Sequence, residues 1–457
     1  MGCCDSHDLS NPTVSDPTAP EYIAVLHEYF PYQIEIVLTE RRGITIAQLS
    51  RVLRFVAEAC RVYSWIDTAP AQYSSTSGKT ISLEWANLYH VNDWLIRPAT
   101  RKDQCAFVEL LAKGDQIAKW FVSHWWGEPI WEFFACVAKH VSLHGFDKMT
   151  AYWVCAYANR QHCLGTELSS DPKQSSFNKA IQLADSILLI LDNRKEASGP
   201  ATPFRRVWCA FEQSLAVDRV LEVATFRFYS EDHEQVDLMA PVRCSRAGCP
   251  FLRNRAQGHG YCCNRCLGIG HGEHGIACKK EVCEQPDLPA TAWADGFAAP
   301  ELSALAAMGQ AEILTDNYLT RDGNTWPSFM KAQRERSFPL SIIEAGLSVE
   351  IQKGQASIPQ DKVHILNSIA CQPLDAEPLM EHSSYDTVNR KLRAKFALAS
   401  LQSAARTGTA EALGHVLDRI AEDVWSTQLT LNMAACPFLL KTASIRSVIA
   451  NRQQLRV

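Results

Sequence analysis

The spacing of apolar positions changes period several times along the chain. From Glu21 to Leu111 the pattern is mixed. The stretch EYFPYQIEIVLTE alternates as a strand does, whereas Thr45 to Trp65 carries Ile46, Leu49, Val52, Leu53, Val56, Ala57, Cys60 and Tyr63 at helical spacing after Gly43. Between Lys119 and Val223 short apolar runs alternate with helical patterns, the rhythm of a parallel sheet with crossovers. Strands are expected at Trp120 to Ser123, Ala151 to Tyr157, Ser186 to Asp192 and Val220 to Phe226, with helices at Ile130 to Leu143, Ser175 to Ala184 and Arg206 to Val217. A run such as SILLILD suits a strand buried on both faces. Farther on, FPLSIIEAGLSVEIQ reads as a helix leading to a last strand at Leu347 to Ile351, and PQDKVHILNSIA as another helix. Two helical patterns follow from Tyr385 to Val424, and LTLNMAAC has the form of one leucine-rich repeat, which cannot bury its own face and is expected to pack against those helices.

These periods divide the chain into a flexible tether (1–20), a mixed α/β region (21–115), an α/β domain (116–240) completed by 291–371, an insert (241–290) and a helical C-terminal region (372–457). The fold class is α/β with a doubly wound parallel sheet. Ligands of such sheets sit in the crevice beyond the carboxyl ends of the strands. His124, Trp125, Trp126, Gly127 and Glu128 follow the first strand there, Asn159 and Arg160 the second, and Asp192 the third. YSSTSGK, from Tyr73 to Lys79, has no earlier glycine at phosphate-loop spacing and reads as an exposed turn.

Composition narrows the function. Lys plus Arg is 45 against 50 Asp plus Glu, so no general basic field exists to hold nucleic acid. No uncharged apolar run is long enough to span a membrane, and no secretory signal is present, which points to the cytoplasm and to reduced thiols. The opening Met1-Gly2-Cys3-Cys4-Asp5-Ser6 fits N-myristoylation at Gly2 with palmitoylation at Cys3 or Cys4. Two acyl chains suffice for stable attachment to the cytoplasmic face of a membrane.

Three blocks carry a resemblance. FVSHWWGEP before a helix, SSFNKAIQLADSILLILD, and RRVWCAFEQSL resemble, in order and spacing, the motifs of a Toll/interleukin-1 receptor (TIR) domain, between Phe121 and Leu215. The resemblance implies a flavodoxin-like, TIR-like parallel sheet. It also implies, as in many TIR domains, cleavage of the nicotinamide-ribose bond of NAD, with Glu212 as the essential carboxylate. Such cleavage passes through an oxocarbenium-like state that a carboxylate stabilises. Ser123, His124, Trp125, Trp126, Asn159 and Trp208 are the expected substrate-binding residues, the tryptophans by stacking or by forming the rim. Trp126 stands where the family has Arg, and Pro129 where it has Asp. On its helix Glu212 reads as mostly solvated, or as capped by Arg205 or Arg206 if its role is structural. Many TIR domains are adaptors without activity, so a scaffold acting by self-association or through other TIR-like domains is the second reading. The layout also resembles a group of multidomain proteins of unicellular eukaryotes that share DWLIRPATR, FVSHWWGE, YWVCAYANRQH and a Cys-rich insert.

Among the Cys and His residues from Cys244 to Cys283, nine are taken as candidate metal ligands: Cys244, Cys249, Cys262, Cys263, Cys266, His271, His274, Cys278 and Cys283. Cys244 and Cys249 flank a glycine turn, Cys263 and Cys266 form a Cys-x-x-Cys knuckle, and His274 and Cys278 can replace one pair or contribute to a second site. Thiolates with imidazole suit tetrahedral zinc, and four filled positions make the site structural. Arg243, Arg246, Arg253, Arg255, Arg265, Lys279 and Lys280 make the insert basic, so a nucleic-acid finger is a lesser reading. The two-His recognition helix and interleaved aromatics of such fingers are missing, which favours a lid or protein-docking role.

Overall fold

The computed structural model describes residues 16–72, 74–192, 201–219, 223–228, 311–315 and 340–393. The expected acylation positions Gly2, Cys3 and Cys4, the expected zinc ligands Cys244, Cys249, Cys263, Cys266, His274 and Cys278, and the helical and repeat-like patterns beyond 393 lie outside these residues. No helix among the described residues is long and apolar enough to cross a membrane.

The chain folds as α/β around one mixed sheet. Six strands, β1 (Ile44–Thr45), β2 (Trp120–Ser123), β3 (Ala151–Trp153), β4 (Ser186–Leu191), β5 (Val223–Phe228) and β6 (Ala311–Thr315), lie in the order β1-β3-β2-β4-β5-β6. β3, β2, β4 and β5 are parallel, and the edge strands β1 and β6 run antiparallel. The central strands are apolar throughout because both faces are covered. Trp120 and Val122 enter one core, with Leu188 and Ile190, while Phe121 and Ile187 enter the opposite one. The first core is closed by α1 (Pro20–Tyr29), α2 (Ile46–Val62) and α3 (Ile130–His144). The second is closed by α4 (Ser176–Leu183) and α5 (Val207–Asp218), and α6 (Leu340–Leu347) and α7 (Pro359–Ala370) pack beyond α5. The chain leaves β2 to pair β3 on one side and returns to place β4 on the other, which opens a crevice past the carboxyl end of β2.

Local chemistry sets the joints. Thr45 and Gln48 form a reciprocal capping box at the start of α2. Gly43 lets two backbones meet, because a Cβ there would stand 2.6 Å from the Gln116 carbonyl. Arg42, almost wholly buried, donates to the carbonyls of Ile36, Val37 and Ala158 and pairs with Glu167 at 2.9 Å.

Four expectations are corrected. EYFPYQIEIVLTE forms no strand: the Gln33, Ile34 and Ile36 amides donate to the backbone and carboxylate oxygens of Glu109, so no ladder partner is needed. β3 stops at Trp153, because the amides of Tyr157 and Ala158 turn back to the Val154 carbonyl and make a helical turn at Cys155–Ala158. No strand occupies Leu347 to Ile351, where α6 ends and a short 3-10 turn, Ile351–Lys353, follows. The sheet is also not wholly parallel: among the described residues its edge strands, Ile44–Thr45 and Ala311–Thr315, run antiparallel.

Candidate active site

A cavity of about 240 Å³ lies beyond the carboxyl end of β2, with Glu212 from α5 in its lining. Glu212 is 4% exposed. The Ser123 hydroxyl donates to its Oε2 at 2.5 Å, and no Arg or Lys pairs with it among the described residues. Burial pushes its carboxyl up to about 8, against the pull of the Ser123 hydrogen bond. The expected solvated or arginine-capped carboxylate is thus replaced by a buried one. The cause is α5 itself, where Val207, Cys209, Ala210, Phe211, Gln213, Ser214 and Ala216 are also buried, a helix covered on nearly every side. Arg206 turns instead to the Ser357 hydroxyl.

Aromatic side chains wall the cavity. Trp126 donates its indole N–H to the Cys155 sulfur at 3.0 Å, with the Tyr89 ring 5.6 Å away. Trp125 folds back over Gly127, where a Cβ would meet the indole at 2.1 Å, so only glycine leaves room for this ring. Trp208 donates to Asp361 Oδ2 at 2.9 Å and stacks on Phe177 at 4.6 Å between centroids. One face of Trp208 is therefore taken by the protein, while Trp125 and Trp126 are half-buried at the cavity.

His124 and Asn159 are among the further polar side chains of the lining. His124 Nδ1 lies 3.2 Å from Glu128 Oε1; with Glu128 ionised the ring proton sits on Nδ1 and Nε2 is left an acceptor. Burial lowers the imidazole to about 3, so it stays neutral. His124 Nε2 and Asn159 Oδ1 are both buried and make no hydrogen bond among the described residues. Burial also pushes the Cys155 thiol up to about 12 and Cys209 well above its usual range, which leaves neither a thiolate at neutral pH.

Of the residues singled out in the sequence, His124, Trp125, Trp126, Asn159, Trp208 and Glu212 share this cavity, and Ser123 supports Glu212 from beneath. Arg160 and Asp192 do not join them. Arg160 pairs with Glu109 at 3.0 Å, and Asp192 holds the Thr202 amide and hydroxyl at 2.6 and 2.8 Å. Tyr89, Asn92, Arg97, Phe177, Arg206 and Asp361 were not anticipated in the lining. No family model, curated protein or solved structure matches the chain.

Proposed function

We propose that the Glu212 cavity is the active site of a TIR-like hydrolase that cleaves the nicotinamide-ribose bond of NAD. The observation that carries this reading is a buried carboxyl without an ion-pair partner among the described residues, held by one serine in an aromatic-walled cavity at strand ends. A structural glutamate that deep is ordinarily paired. The β3-β2-β4-β5 order also supports the doubly wound, flavodoxin-like sheet that the three motifs imply.

In the free protein Glu212 is mostly protonated at neutral pH. A pyridinium ring bound against it favours the ionised form by direct attraction. As the glycosidic bond breaks, its electron pair leaves with nicotinamide, a neutral base that needs no acid. Positive charge then grows on the ribose C1′ and ring oxygen, where the carboxylate stabilises it in a site shielded from water. Water adds to C1′, so NAD plus water yields nicotinamide, ADP-ribose and a proton. Incubation of the purified protein with NAD, followed by chromatography, should reveal nicotinamide, and Glu212→Ala should reduce it to background. NAD left intact by the native protein would instead favour the adaptor reading.

A further inference from the structure

The outer wall of the cavity comes partly from chain outside the TIR-like blocks, and its cationic side chains, Arg97 and Arg206, have the opposite polarity to the floor. Leu88–Val91, Asn92–Ile96 and Arg97–Thr100 form a continuous helical run whose middle segment is π-helical. The Arg97 amide donates to the Asn92 carbonyl, five residues back. Residues five apart on an α-helix lie roughly 140° around the axis from each other, whereas a π turn brings them close to one face. Asn92 and Arg97 consequently line the same cavity.

Pro98 accounts for this turn. It has no N–H for the Trp94 carbonyl and its ring crowds that oxygen. The Tyr22 hydroxyl donates to the Trp94 carbonyl instead, at 2.8 Å. Arg206, also in the lining, donates to Ser357, whose oxygen is 3.2 Å from the Tyr89 hydroxyl, so the guanidinium is held with donors to spare. Arg97 is exposed and Arg206 half-buried, as suits a rim. The other carboxyl of the lining, Asp361, is engaged by Trp208.

The floor offers acceptors, namely His124 Nε2, Asn159 Oδ1 and the Glu212 carboxyl. A ligand that satisfies both ends presents hydroxyl or amide donors inward and an anion outward. At about 240 Å³ the cavity is smaller than the ~300–1,000 Å³ of sites that engulf a drug-sized ligand, so it admits a nucleoside end and leaves the remainder outside.

We infer that Arg97 and Arg206 form a two-guanidinium clamp for the phosphate of a ribosyl phosphate whose sugar end enters toward Asn159, His124 and Glu212. This assignment rests on the ribosyl-cleavage reading of the same cavity, and its test reads binding without turnover. Titration calorimetry of the full chain compares ADP-ribose with a carbocyclic nicotinamide riboside, which lacks both the phosphate and the cleavable glycosidic bond. Native protein should bind ADP-ribose at least tenfold more tightly. Arg97→Gln and Arg206→Gln should each weaken ADP-ribose about tenfold and leave the riboside within twofold, because each removes a charge-assisted contact that only the phosphate makes. Equal affinities for both ligands, equal loss of both in the variants, or no binding of either would overturn the clamp. NAD cleavage with unchanged ADP-ribose affinity in both variants would overturn the clamp alone and leave the catalytic reading standing.

Discussion

Glu212 is the side chain on which most of the account turns, and its burial gives it two measurable signatures. Its carboxyl titrates at about 8 in the folded protein against an ordinary 4.5. Between those values the folded state keeps a proton that the unfolded chain has lost. The resulting stability is complete below about pH 4.5, falls as pH rises and is gone above about pH 8, a span on the order of 5 kcal/mol. Glu212→Gln cannot lose that proton, so it should melt well above the native protein at pH 9 and close to it at pH 5. A constant offset across that range would contradict the buried neutral carboxyl. His124 works in the opposite sense: lowered to about 3 from 6.5, it contributes stability that is lost as pH falls between those values. The second signature is electrostatic. A carbocyclic NAD analogue keeps the pyridinium charge without the cleavable bond. At pH 7 its binding should release close to one proton, measured by calorimetry in buffers of different ionisation enthalpy, whereas ADP-ribose should release none. Gly127→Ala should displace Trp125, whose indole already fills the space a Cβ needs, and raise KM for NAD severalfold while the fold persists.

At the scale of elements, the run from Leu88 to Thr100 shows how one residue shapes a wall of the cavity. Pro98 breaks the α pattern, the π turn follows, and Tyr22 satisfies the carbonyl left over while accepting the Trp65 indole N–H at 3.1 Å. Tyr22→Phe leaves both buried groups without their partner, and chemical denaturation should register a loss of about 2–3 kcal/mol. A loss under about 0.5 kcal/mol would show that the hydroxyl is not needed there. The parallel centre of the sheet was legible in the sequence because β2 and β4 are buried on both faces and so form continuous apolar runs. Its edges were not. β1 is two residues long, and β6 follows a long stretch of chain after β5. EYFPYQIEIVLTE alternates like a strand, but period cannot reveal that Glu109 supplies its hydrogen bonds. Ser123 was legible as the end of a strand, His124, Trp125, Trp126 and Asn159 as residues after strands, and Trp208 and Glu212 as a motif on one helix. Arg97 and Arg206 were not, since more than a hundred residues of chain separate these two members of one lining. Pro98 within a helical pattern was the one local clue.

Across the whole molecule the cavity is assembled from three distant stretches. The Leu88 amide bonds the Trp126 carbonyl at 3.0 Å and the Ile130 amide the Ala86 carbonyl at 2.7 Å, which docks the N-terminal region against the loop after β2. The Val207 amide bonds the Gln355 carbonyl at 3.0 Å and brings Ser357 and Asp361 to the mouth. A ligand that touches all three stretches binds only the folded assembly. ADP-ribose at about a hundred times its dissociation constant should therefore add about 2.7 kcal/mol, visible as a rise in Tm. The most direct test of the central claim is nicotinamide release from NAD at pH 7 by native protein and by Glu212→Gln. The native protein should release nicotinamide continuously, and Glu212→Gln, matched in shape but unable to carry charge, should fall at least a hundredfold while remaining folded by its melting curve. Equal release by the two proteins would contradict the role of the Glu212 carboxylate, and no release by either would contradict the assignment of the cavity as a site of NAD cleavage.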